Sequence, residues 1–323
     1  MNPDAVRFAL VFAVSFAALG LGYASRRRGW MDEKHSRAVH FHTVTWAWSA
    51  GALIALWRLP LTLSNLWIVA IQAAVIVIPA LLMIPLAKRV CTGRGQVGVM
   101  AVGAGVGNIG WTLGAYICFI LIDPAGEALA VAGTAAAVLA VVNVLAMYPI
   151  AHRFGELTGG LTLGKLMVHS LFMLPAMPLY AGAVGVTLSA TTTFPEWLID
   201  FYLVDLVLLT VAAGGYLGVG MRLRLGGGLA YLKQHALLAV FTFGVTPAIT
   251  LGIIALAGAT AAPMSETATR VMIVEALMPT GVSCIIMANI FHLDARLAAS
   301  VWLWNTLLCL ALILPGLVLW LGL

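Results

Sequence analysis

Apolar runs long enough to cross a lipid bilayer take up nearly the whole chain, and little is left between them. A spanning helix needs about 20 mainly apolar residues. By that rule there are ten runs, at about 5–24, 38–57, 63–87, 97–122, 125–148, 165–188, 198–220, 233–257, 268–291 and 295–321. Only 9% of the 323 residues are charged, and the mean hydropathy is +1.04, whereas soluble domains carry roughly 25% charged residues. The pattern predicts an all-α polytopic membrane protein with ten transmembrane helices and no room for a soluble domain.

Lys and Arg outnumber acids 17 to 12. In a soluble protein that excess would suggest nucleic acid; here the cations fall in short loops, where they set orientation. Loops after the odd-numbered runs hold all but Arg7, Arg58 and Arg270. Positive loops stay in the cytoplasm, so the expected location is the cytoplasmic (inner) membrane with both termini outside. The first run ends in "GYAS", which resembles a signal cleavage site, but "RRRG" follows it; that charge order fits a retained helix. Cys91, Cys118, Cys284 and Cys309 make no CxxC pair, so neither a disulfide framework nor a zinc site is expected.

Ten spans divide into five and five, with the joint near "HRFGELTGG" at 152–160. The domains expected are residues 1–155 and 156–323. An odd number per set makes the second set enter the membrane the opposite way, the inverted-repeat plan of many secondary transporters. Direct similarity between the halves is weak.

Run 4 contains "GAGVGNIGWTLGA" at 103–115, with five glycines and Asn108 at mid-depth. Each interior glycine costs about 1 kcal/mol relative to alanine, and hydrocarbon cannot satisfy the amide of Asn108. Run 9 carries Pro279, Thr280 and Gly281 at the matching depth, and proline disrupts a helix interior. Tight packing explains small residues but not the asparagine. Interrupted segments at corresponding positions of two halves point to a transporter's binding site. Such backbone survives at that depth only when buried in protein or lining a cavity, and its freed amide ends favour an anion.

"GNIG" in run 4, with "EALMPTG", "FHLDARLAA" and "WNTLLCLALILP" towards the C-terminus, resembles the auxin efflux carrier family. That family includes plant auxin carriers and bacterial permeases assigned to malonate and related carboxylates, and belongs to a wider group with the bile acid/sodium symporters. The match falls on Gly107, Asn108 and Gly110, then on Met278, Pro279, Phe291, Asp294, Ala298, Ala299, Thr306 and Pro315. The resemblance implies that helices 4 and 9 cross as broken helices with substrate held near the crossing. The family usually carries a proline several residues after the asparagine; "WTLGAY" has none here, and the usual glycine after Phe291 is His292.

Asn108 and Thr280 are the expected direct substrate contacts, since amide and hydroxyl groups donate to a carboxylate without a buried countercharge; capping the broken helix ends is the alternative. Gly107, Gly110 and Pro279 shape the break. Ser283, Asn143 and Asn305 are supporting candidates, with plain interhelical hydrogen bonds as the alternative. Glu275 lies one turn before Pro279. An acid at that depth is costly and functional by default, and beside the negative end of its half-helix it is expected to hold a proton or face a cation. It is the coupling candidate. In the related sodium symporters a comparably placed acid helps bind sodium, so the coupling ion is H+ or Na+. Asp205 is expected near the edge, facing water. His40 and His42 are expected to be interfacial, as are His169 and His235. "GRGQVG" and "GVGNIG" match GxGxxG but lack the strand a dinucleotide site needs.

The function expected is secondary transport of a small organic anion, a carboxylate, by alternating access. The alternatives are a sodium-coupled bile-acid-symporter-like carrier, or a binding-only sensor or channel. An intramembrane enzyme would need a catalytic set such as HExxH, and none occurs. No cofactor, metal or nucleic acid is expected; the partners are the bilayer and the anion, with a homodimer left open.

Overall fold

The computed structural model describes residues 3–58, 62–109, 113–122, 127–155, 162–223 and 228–321. Among these residues every regular element is helical, apart from one isolated antiparallel bridge between Gly107 and Thr280. Helix α1 is Pro3–Arg27 and α3 is Leu63–Val90. Helix α2 runs through Glu33–His42, a π-helical turn Thr43–Trp48 and Ser49–Arg58. Helix α4 is in two pieces, α4a (Arg94–Gly105) and α4b (Gly114–Leu121). Helix α5 joins Glu127–Val142, a π turn Asn143–Met147 and Tyr148–Phe154. Next come α6a (Leu163–Phe172), α6b (Met177–Thr191) and α7 (Leu203–Arg222). Helix α8 joins Leu232–Val240, a π turn Phe241–Val245 and Thr246–Gly258. Helix α9 is split into α9a (Glu266–Ala276) and α9b (Val282–Ile290), and α10 joins Ala295–Leu308, a π turn Cys309–Ile313 and Leu314–Leu321.

Six of the described helices are long and apolar enough to cross a membrane, and the α6 pair makes a seventh if its halves form one span. The protein is therefore a polytopic helical membrane protein by composition and length. The straight sixth run expected from the sequence is bent by 83°. Extended backbone at Met173 (ψ 150°) precedes Pro175, and Pro178 opens α6b. Proline lacks the N–H an ongoing helix needs and its ring crowds the carbonyl four residues back, so the chain restarts there in a new direction.

The π turns have a readable cause in three of their four described occurrences. A proline stands six residues after the first residue of the turn: Pro149 after Asn143, Pro247 after Phe241 and Pro315 after Cys309. Its ring removes one donor and crowds the carbonyl four residues back, and a wider turn relieves that crowding.

Packing divides the helices into two groups. In one, α1 lies along α7, and α2 packs on both α6b and α7. Small residues bring these backbones together: a side chain on Gly22 would strike the Leu217 carbonyl, and one on Gly220 the Leu19 carbonyl. In the other, α3, α4, α5, α8, α9 and α10 surround a core containing Met83, Met100, Met147, Val274, Ile285 and Leu297, which continues into Val44 of α2 and Val219 of α7. The loops gather at two ends. At one, the Arg26 guanidinium donates to the Leu223 carbonyl (3.3 Å), Arg222 pairs with Glu33 (2.7 Å) and Gln234 donates to the Val90 carbonyl (2.7 Å). At the other, Trp57 donates to Thr192 (3.0 Å) and Trp67 to the Ala262 carbonyl (3.1 Å).

The crossing of α4 and α9

Helix α4a stops at Gly105 and α9a at Ala276, and the two intervening stretches pass each other antiparallel. Two backbone bonds hold them: Asn108 N–H donates to the Pro279 carbonyl (2.6 Å) and Gly281 N–H to the Val106 carbonyl (2.8 Å). Two amides and two carbonyls released by the breaks thus satisfy one another, as buried backbone must. A Cβ on Gly281 would fall on the Gly107 carbonyl, so glycine is required here for close approach. Gly110 lies outside the described residues.

Beside the crossing is a cavity of about 60 Å³. Gly107, Asn108 and Ile109 form one wall; Val282 and Ser283 at the start of α9b form another; Trp48 and Gly51 of α2, Gly215 of α7 and Ala136, Ala137, Leu139 and Ala140 of α5 also line it. The cavity therefore lies where the two helix groups meet. Asn108 is buried, and its side chain is hydrogen-bonded to Tyr216 of α7. Tyr216 is absent from the residues the sequence singles out, because a tyrosine in an apolar span is indistinguishable there from an aromatic of the interfacial belt.

Thr280 and Asn305 come together, but away from this cavity. The Asn305 amide donates to Thr280 Oγ1 (2.7 Å) and to Thr242 Oγ1 (3.3 Å), while Thr280 Oγ1 donates to the Gly103 carbonyl (3.3 Å). Thr280 is wholly buried; its hydroxyl braces the break against α4a, α8 and α10. The Gly103 carbonyl lies in the last turn of α4a, so the hydroxyl bonds to that helix end. Asn143 is not part of the cluster. It is 1% exposed, and among the described residues neither amide atom has a partner.

Glu275 is 3% exposed, and its carboxylate lies against Gly114, where any Cβ would collide with it. The sequence reading considered only the negative end of its own half-helix. In space the carboxylate also meets the first residue of α4b, whose positive end favours negative charge. Of the two amide ends expected to bind an anion, the α4b end therefore carries Glu275, and the α9b end lines the cavity. On the far side of the crossing, Glu275, Gln72, Thr242, Thr246 and Thr250 line a second cavity of about 20 Å³ together with the ends of α4a and α9a. That is room for about one water-sized occupant. The Thr250 hydroxyl, fully buried, has no partner among the described residues.

His40 departs from the interfacial position expected of it. It is wholly buried: Asn289 of α9b donates to its Nδ1 (2.8 Å), and Nε2 lies 3.2 Å from the Gly215 carbonyl. Asn289 also donates to Ser36 Oγ (3.2 Å), which donates to the Gly218 carbonyl (2.8 Å). His42 is exposed. Residues two apart on a helix point about 200° apart, so "HFH" could not have put both rings in one environment. His169 is exposed and meets His152 edge-on at 5.0 Å between centroids; His235, half-buried, bonds Ser300 at 3.0 Å. Asp205 is half-buried at the start of α7.

No protein-family model matches the chain, and no curated protein matches it.

Proposed function

We propose that the protein is a secondary transporter of a small organic anion, a carboxylate, resembling the auxin efflux carriers. The observation that carries this reading is the antiparallel crossing of two broken helices beside a cavity shared by two helix groups. Alternating access needs a site between parts that rock against each other, and the position of the cavity beside Asn108, between the two helix groups, supports that reading. The positive end of α9b, the Ser283 hydroxyl and the Asn108 amide attract the carboxylate; Trp48, Ala136, Ala137, Val211 and Ile286 take an apolar body.

On this reading the shorter and broken helices also span the membrane, giving ten spans in two inverted sets of five. Helices α5 and α10, fifth in each set, each hold a π turn with a proline at the same offset, a device that α8 also uses. The cation-rich loops are cytoplasmic and both termini lie outside. Position 292, where the family usually has glycine, adopts φ 54°, a conformation that glycine favours; this is consistent with the resemblance. The small cavity at Glu275 is the coupling site: a carboxylate, hydroxyls and the negative ends of α4a and α9a suit a proton or a sodium ion.

Proteoliposome uptake of radiolabelled carboxylates, with and without a sodium or pH gradient, tests the proposal. Asn108→Ala is expected to abolish uptake while leaving the melting temperature within a few degrees. Undiminished uptake by a well-folded Asn108→Ala protein would remove the crossing from the transport route.

A further inference from the structure

A larger cavity, of about 300 Å³, opens beside the first towards the end where α2 terminates. The two share Gly51 as a common wall, and both are bordered by α2, α5 and α7. Its lining is apolar except for Asn65, Thr134 and Arg58. Arg58 is the last residue of α2 and is exposed, with its guanidinium 5.2 Å from the centroid of the Phe194 ring. Among the described residues no carboxylate pairs with it, whereas Arg270 at the same end is engaged by Glu266 at 2.6 Å.

The surroundings make this cation unusual. Among the described side chains, the loops and helix ends at this end of the molecule carry Glu196, Asp200, Asp205 and Glu266, against Arg58 and Arg270. An anion approaching there meets a repelling field, and Arg58 reverses it locally at the cavity mouth. The contact with the Phe194 ring uses none of the charge-paired hydrogen bonds a guanidinium makes to a carboxylate, and arginine takes a carboxylate in bidentate fashion.

We propose that Arg58 is a capture site for the carboxylate substrate, holding it at the vestibule mouth before it moves past Gly51 to the crossing. This rests on the transporter reading above. Being exposed, the site acts on encounter more than on the bound state. Arg58→Gln is therefore expected to raise KM by about two- to five-fold at low salt with kcat unchanged. The difference should vanish near 1 M salt, where the screening length falls to about 3 Å.

A charge-restoration experiment checks this. Cys91 is the one cysteine not buried, so Arg58→Cys is placed on a Cys91→Ser background and assayed with radiolabelled benzoate and malonate in proteoliposomes. The thiol is then modified with a cationic or an anionic methanethiosulfonate. The cationic adduct is expected to restore the low-salt KM, and the anionic adduct to raise it further. An unaltered KM in Arg58→Gln, or the same response to both reagents, overturns the capture site and leaves transport at the crossing standing. If the unsubstituted protein moves neither anion, the transporter reading fails and this proposal with it.

Discussion

Gly281 shows what the crossing demands of a single residue. Its φ of −76° is open to any amino acid; space is what excludes a side chain, since a Cβ would meet the Gly107 carbonyl and both belong to the bonded bridge. Gly281→Ala is expected to push the two breaks apart, costing about 1–3 kcal/mol as overpacking does. A thermal melt in detergent should fall by several degrees, and uptake should fall with it; an unchanged melt would mean that the bridge does not hold the breaks together. The sequence marked this place because glycine, asparagine and proline in hydrocarbon have a cost that only a special backbone repays. It could not say which way each polar group faces. Asn108 and Ser283 border the cavity, whereas Thr280 turns its hydroxyl towards Gly103 and Asn305. That choice is made by neighbours in α8 and α10, far away in the chain.

Among elements, the polar contacts between the two helix groups were the least legible. Burial of His40 depends on Asn289, which is 249 residues away, and no periodicity within α2 announces that pairing. The network joins α9b to α2 and α7 in the seam the two groups would have to slide along, which Asn108 and Tyr216 also bridge. Asn289→Ala removes the donor to His40 Nδ1 and to Ser36 Oγ and leaves buried acceptors unsatisfied, at a cost of about 1–3 kcal/mol. The melt should drop accordingly, and His40→Ala on the Asn289→Ala background should add little further loss, because both changes break one network. Fully additive losses would show that the two residues act separately. The π turns, by contrast, could have been read from Pro149, Pro247 and Pro315, had the wider turn been considered alongside the kink.

For the whole molecule, the apolar runs made the helical membrane class plain, because the count of charged residues leaves no other solvent for such a chain. Division into two groups with a cavity between them was not visible, since it depends on which helices lie side by side, and ten similar apolar runs carry few labels. Alternating access makes a demand on that division: α9b must move against α7. Gly215 and Val282 offer a tether across the seam, because a Cβ built on Gly215 lies 3.6 Å from Val282 Cγ1. Val282 Cγ1 marks a position that the sulfur of a cysteine at 282 can take, so cysteines at both positions are expected to cross-link under mild oxidation. Cys118, Cys284 and Cys309 are buried, and replacing Cys91 by serine removes the remaining competitor. Because a cysteine at 215 borders the cavity and can itself slow transport, the comparison is made within one preparation, before oxidation, after it and after reduction. Substrate uptake should stop on cross-linking and return with reductant, while the folded fraction stays constant. Uptake that continues unchanged through a complete cross-link would show that these helix groups do not move relative to one another during transport, and the two-body mechanism would have to be given up even if the crossing still binds the anion.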